Sequence, residues 1–183
     1  MSSRADEPGP HRTAALSAGG LPGSAISAEA LRNIGLFGAL PERILEELAR
    51  DLEMSELPAG SYVFREGELG NCMYVVLQGD LEVLKKARTD HDSRVAVLGP
   101  GDWFGEMSII DVQPRSATVL TVSPCRLVKI TAADLDRLYR ADVKAYALIV
   151  QNIARELSRR LRVADGILAD LIANVTETYI RRR

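Results

Sequence analysis

The chain of 183 residues is 46% hydrophobic and carries a formal net charge of −2. That length suits one domain with extensions and an ordinary core, and the near-neutral balance argues against nucleic-acid binding driven by bulk charge. Two cysteines and two histidines are too few and too scattered for a zinc, haem or iron–sulfur site. No run reaches the length of a membrane span and the first 26 residues show no apolar signal core, so a cytoplasmic protein with no metal or resident cofactor is expected.

Residues 1–25 mix Pro, Gly, Ser and charges without aromatics or periodicity, and are expected to form a disordered extension that includes His11. A helix should start after Ser27 as N-cap, with Leu31 and Ile34 turned inward. Leu36-Phe37-Gly38-Ala39-Leu40-Pro41 reads as a tight corner. Pro41 suits the first turn of a second helix whose Ile44, Leu45, Leu48 and Leu52 share one face.

From Met54 the pattern becomes short apolar runs separated by Gly, Pro, Asp and Asn. Strands are expected at 53–57, 62–65, 72–78, 80–86, 94–98, 117–122 and 125–130, the spacing of a small β-sandwich or roll. Cys72 and Cys125 fall in these runs and read as buried thiols. Arg88 to Ser93, with His91, reads as a polar hairpin tip.

The last third is helical. Thr131 followed by Asp134 resembles a capping box, and Leu135 and Leu138 should face inward. A second helix begins near Asp142, with Tyr146, Val150, Ile153, Leu157 and Leu161 as its apolar stripe, continued by Ala164, Leu168, Leu171 and Val175. Gly166 costs about 1 kcal/mol against Ala in a helix interior, so a kink or break is expected there. Arg181-Arg182-Arg183 reads as a frayed basic end.

One stretch carries chemistry. Gly105 allows backbone to approach a ligand, since it has no Cβ. Glu106 to Ile110 reads as one helical turn whose free N–H groups, around Met107 and Ser108, form an anion-binding start. Arg115 follows Pro114 and offers a fork suited to phosphate oxygens. Glu106 is an acceptor for a hydroxyl, as on a sugar. Donors for one anion beside an acceptor for one hydroxyl suggest a small phosphorylated sugar. Taken singly, Arg115 is a surface arginine, Glu106 a helix-start acid stabilised by the macrodipole, and Met107, Ile109 and Ile110 core. The functional reading rests on their combination.

In order, Phe104-Gly105-Glu106-Met107-Ser108-Ile109 and Arg115-Ser116-Ala117-Thr118-Val119 resemble the phosphate-binding cassette of cyclic-nucleotide-binding domains, as in bacterial catabolite-activator-type proteins, cyclic-nucleotide-dependent kinase regulatory subunits and gated channels. The corner at 36–41 and the hairpin from Met73 to Val83 are also similar to that family, and the resemblance spans Leu31 to Leu161. It implies an α+β fold: an eight-stranded, jelly-roll-like β-roll with N-terminal helices and C-terminal hinge and lid helices. Residues 26–163 would form the domain and 164–183 a helical extension, with the hinge near 138–142.

The resemblance further implies that Arg115 pairs with the cyclic phosphate and that Glu106 takes the ribose 2′-hydroxyl. Backbone N–H groups around Met107, Ser108 and Ala117, with the Ser116 hydroxyl, would complete the cradle. The base would lie between the sheet and the lid helix, where Arg155, Arg159 and Arg160 are its candidate contacts; a solvated helix face is the plainer reading of these arginines. Ser116, where the family's cGMP binders more commonly carry Thr, motivates cAMP as ligand with cGMP second. No helix-turn-helix unit and no kinase, cyclase or phosphodiesterase motif is read, so neither DNA binding nor enzyme activity is expected. The expectation is a stand-alone receptor that signals through a protein effector, with residues beyond Ala164 available for a homodimer. A nucleotide-independent dimerisation scaffold and a transcription-regulator remnant are the alternatives.

Overall fold

The computed structural model describes residues 26–86 and 92–180, with side chains to residue 174. The N-terminal extension, the hairpin tip around Arg88 and His91, the side chain of Val175 and the terminal arginines lie outside the described residues.

Ser27 caps the first helix, α1 (Ala28–Arg32), accepting from the Ala30 N–H at 3.1 Å. A 3₁₀ turn, Gly35–Phe37, leads through the corner to α2 (Glu42–Asp51). Pro41 stands at the N-cap of α2, one position before the first turn in which the sequence placed it. Eight strands follow among the described residues: β1 (Glu53–Leu57), β2 (Tyr62–Phe64), β3 (Cys72–Gln78), β4 (Leu81–Lys86), β5 (Asp92–Leu98), β6 (Trp103–Phe104), β7 (Thr118–Thr121) and β8 (Cys125–Thr131). They form two antiparallel four-stranded sheets, ordered β1-β8-β3-β6 and β2-β7-β4-β5. This is the expected β-roll. The strand missing from the sequence reading is β6. Its two residues pair with β3, Trp103 with Val75 and Phe104 with Tyr74, and a run so short has no visible alternation.

The central strand β3 separates two cores. Met73 and Val75 face the helices, packing with Leu31, Phe37, Ile44 and Ile149. Cys72, Tyr74 and Val76 face the inside of the roll with Phe64, Phe104 and Leu127. Both faces of β3 are apolar because both are covered, which is why it reads as a continuous run.

Two helices close the described chain. Thr131 caps α4 (Ala132–Ala141) in a reciprocal box: its Oγ1 accepts from the Asp134 N–H at 3.1 Å, and Asp134 Oδ2 accepts from the Thr131 N–H at 2.8 Å. The shorter Asp thus does the work of the usual Glu. Asp142 is the only residue between α4 and α5 (Val143–Ile180). Two expectations are corrected here. The helix runs for 38 residues without a break at Gly166; that glycine's cost is a local one, and the good helix formers Ala164 and Leu168 stand two positions away on either side. Of the expected stripe, Ile153 is buried and Tyr146 and Leu157 pack half-buried against the core, but Val150 and Leu161 are exposed, and Ala145 and Ile149 complete the buried face. The corner at 36–38 sets this rotation: Asn152 Nδ2 donates to Leu36 O (3.0 Å) and Gly38 O (3.1 Å), turning that side of the helix inward.

Candidate functional site

The loop between β6 and β7 brings the cassette residues together around one guanidinium. Arg115 is 5% exposed. Its Nη1 donates to Gly105 O at 3.0 Å and lies 3.4 Å from Ser108 Oγ, while Nη2 donates to Cys72 Sγ at 3.3 Å. The group lies 4.0 Å above the Phe64 ring, a cation–π contact. Two glycines make room for it. A Cβ at Gly70 would fall 2.3 Å from Arg115 Nε, and one at Gly105 would fall 2.7 Å from Nη1. Gly105 also has φ +81°, a conformation that L side chains resist. Among the described residues no carboxylate pairs with Arg115, so a buried cation is held by carbonyl, hydroxyl, thiol and ring contacts alone. Such an arrangement favours an anion, because an unpaired buried charge is costly.

Glu106 is the N-cap residue of a single turn, α3 (Met107–Ile110). Met107 and Ser108 open that turn, where backbone N–H groups have no partner within the helix. Glu106 is 3% exposed. Its Oε1 accepts from Arg160 Nη1 at 3.3 Å, and its Oε2 is buried without a hydrogen-bonding partner among the described residues. Burial pushes this carboxyl above its ordinary value, aided by Glu156 and opposed by its own backbone N–H and by the charges of Arg160 and Arg115. Ser116 is exposed and its Oγ donates to Met107 Sδ at 3.5 Å, while Ala117 is half-buried.

These residues line one cavity of about 510 Å³, within the range of small-molecule sites. Its far wall is apolar: Val83, Val95, Val97 and Leu98 from β4 and β5, with Val163, Ala164 and Ile167 from α5. The sequence reading missed this wall. The base was expected between the sheet and the lid helix, but no residue of the sheet was named for it. Arg159 and Arg160 also line the cavity, together with Glu156. Glu156 accepts from Arg159 Nε and Nη2 at 2.9 and 2.7 Å and from Arg160 Nε at 2.8 Å. These bonds hold its carboxyl below the usual range. Arg155 lies outside the cavity lining, and its Nη1 donates to Asn152 Oδ1 at 2.8 Å.

A buried arginine without an acid, a buried acid with an unsatisfied oxygen and an apolar wall share one cavity inside a β-roll. Residues 54–142 match the family model for the cyclic nucleotide-binding domain. This domain belongs to the cyclic nucleotide-binding family. It begins on β1 and ends at Asp142, so it contains both sheets and the cassette and stops where α5 starts.

Among curated relatives, the CRP-like cAMP-activated global transcriptional regulator of Mycobacterium tuberculosis is 33% identical over 144 residues, which is 79% of this chain and 62% of that protein. The crystal structure of the Thermus thermophilus catabolite activator protein superposes with a TM-score of 0.67 at 32% identity, covering 76% of this chain and 63% of that one. A cyclic nucleotide-binding domain from Methylobacillus flagellatus superposes with a TM-score of 0.70 at 26% identity, covering 79% and 82%. The chain therefore spans less than two thirds of the regulators it resembles. Among the described residues, no helix is long and apolar enough to cross a membrane.

Proposed function

We propose that this cyclic nucleotide-binding domain is a receptor for cAMP, with cGMP as the second ligand, and not an enzyme. The observation that carries the reading is the buried guanidinium of Arg115, unpaired with any described carboxylate and bordered by Gly70 and Gly105. In this reading the cyclic phosphate completes its charge, and the N–H groups of Met107, Ser108 and Ala117 with the Ser116 hydroxyl finish the cradle. Glu106 takes the ribose 2′-hydroxyl, and the base lies against Val95, Val97, Val163 and Ile167. The name of the Mycobacterium tuberculosis relative, a cAMP-activated regulator, supports cAMP, as does serine rather than threonine after Arg115.

Ligand favours the state in which the lid helix is docked, by its differential affinity for that state. The signal then passes in the cytoplasm to a protein effector, or through a homodimer built on the outer half of α5, without the domain itself contacting DNA. The cyclic nucleotide is the ligand, and no resident cofactor takes part.

Calorimetry with cAMP and cGMP on the wild type and on Arg115→Ala tests this. Hydrogen bonds to charged groups contribute about 1.5–3 kcal/mol each, so the variant should bind at least roughly tenfold more weakly. No heat with either nucleotide would remove the receptor reading. Undiminished binding in Arg115→Ala would remove the assigned phosphate site.

A further inference from the structure

Met107 brings an oxidisable sulfur into the cavity wall. Among the described residues that line the cavity, it is the one that carries sulfur. It is 44% exposed, whereas Met73 is fully buried and Met54 packs half-buried against the helical core. Cys72 and Cys125 are buried thiols. A peroxide arriving from solvent therefore meets the Met107 thioether before any other described sulfur, since susceptibility follows exposure. The same sulfur touches the cassette hydroxyl: Ser116 Oγ donates to Met107 Sδ at 3.5 Å, and both residues line the cavity. A thioether is only a weak acceptor, so this bond leaves the hydroxyl free to turn toward a better one.

We infer that Met107 is a site of reversible oxidation, and that its sulfoxide lowers the affinity of the cassette for its anionic ligand. The effect on affinity rests on the cyclic-nucleotide reading. The oxidant is hydrogen peroxide. The Sδ lone pair attacks one peroxide oxygen, an S–O bond forms and the O–O bond breaks. Sulfur loses two electrons and the peroxide gains them. After a proton passes from the transferred oxygen to the leaving one, water departs. The sulfoxide is uncharged but polar. Its oxygen carries partial negative charge and accepts hydrogen bonds far better than the thioether did.

Two consequences oppose the phosphate. The sulfoxide oxygen competes for the Ser116 hydroxyl, which already lies against this side chain. It also sets a partial negative charge in the wall of a cavity whose buried guanidinium, Arg115, favours an anion. The apolar wall for the base is left as it was. In the other direction, a nucleotide seated on the cassette covers the thioether. Oxidant then weakens the response to nucleotide, and bound nucleotide shields the sulfur that oxidant would reach.

The test treats the wild type, Met107→Leu and Met107→Gln with dilute hydrogen peroxide, maps the oxidised residues by mass spectrometry and measures cAMP binding by calorimetry before and after. Met107 should oxidise ahead of Met54 and Met73, and more slowly under saturating cAMP. The oxidised wild type should bind cAMP about tenfold more weakly than the untreated protein, the effect of one hydrogen bond to a charged acceptor. Methionine sulfoxide reductases acting on both epimers should restore it. Met107→Leu, whatever its starting affinity, should bind equally before and after peroxide, which also removes Met1 as the cause because that variant keeps it. Met107→Gln, with a side-chain carbonyl near the place of the sulfoxide oxygen, should bind more weakly than Met107→Leu. The inference falls, and the receptor reading stands, if Met54 or Met73 oxidises first, or if the oxidised wild type keeps its affinity. It falls equally if Met107→Leu loses as much affinity as the wild type, or if dithiothreitol alone restores binding, since a thiol would then be the site. If the untreated wild type binds neither cAMP nor cGMP, both fall together. Circular dichroism of each treated sample separates lost folding from lost affinity, and Met107→Gln against Met107→Leu carries the comparison if peroxide unfolds the wild type.

Discussion

Arg115 owes its pose to the residues packed around its guanidinium. Phe64 supports the face of the guanidinium, Cys72 and Gly105 accept from it, and Gly70 is bare where any side chain would collide. Gly70→Ala places a carbon 2.3 Å from Arg115 Nε, so the buried guanidinium has to leave its place. The expected result is a protein destabilised by about 1–3 kcal/mol, the usual cost of overpacking, and weakened for cyclic nucleotide by about tenfold. Urea unfolding and calorimetry measure the two effects. Full affinity in that variant would mean that Arg115 has a second productive position.

At the scale of elements, the decisive junction is the single residue between α4 and α5. Asp142 accepts from the Ala145 N–H at 2.9 Å, capping the lid helix, and its carboxylate also pairs with Arg43 of α2. The Ala145 N–H, with the Arg43 charge behind it, holds this carboxyl below its ordinary value. Its contribution to stability is therefore present above the pH at which an unfolded Asp ionises, and is lost as pH falls through the lowered folded value. Asp142→Ala should melt a few degrees below the wild type at neutral pH, with the gap closing in acid. Thermal unfolding at both pH values checks this. A gap that persists in strong acid would show that the carboxylate's ionisation is not what the junction uses. Nearly three turns further on, Asn152 bonds the carbonyls of Leu36 and Gly38, so the lid helix is fastened to the N-terminal corner as well as to the hinge.

For the whole molecule, the length of α5 matters. Its 38 residues extend about 57 Å at 1.5 Å per residue, more than the cavity needs for cover. Its outer half exposes Leu161, Val163, Ile167, Leu168, Leu171 and Ile172, of which Val163 and Ile167 also line the cavity. An apolar stripe of this kind on a helix is the usual basis for pairing with another helix. Sedimentation velocity should show concentration-dependent self-association that Leu168→Glu with Leu171→Glu abolishes. A monomer throughout, with or without nucleotide, would leave the stripe to a different protein.

Local chemistry was legible wherever it is written in neighbouring residues. Ser27 and Thr131 announce helix caps, Gly and Pro mark the turns between strands, and the Gly105-Glu106 and Arg115-Ser116-Ala117 spacing marks the cassette, because each of these depends on backbone conformations and bonds spanning a few positions. What the sequence by itself determined is thus the β-roll, its flanking helices and the anchor of the site. Only the tertiary structure decided which residues complete it. Gly70 and Cys72 reach Arg115 across 45 and 43 positions, and Arg160 reaches Glu106 across 54. The long-range bonds of Asn152 fasten α5 to the corner, and its buried face adds Ala145 and Ile149 to Ile153 of the expected stripe while leaving Val150 and Leu161 exposed. Contacts across such separations follow from how sheets and helices pack, and no local period records them.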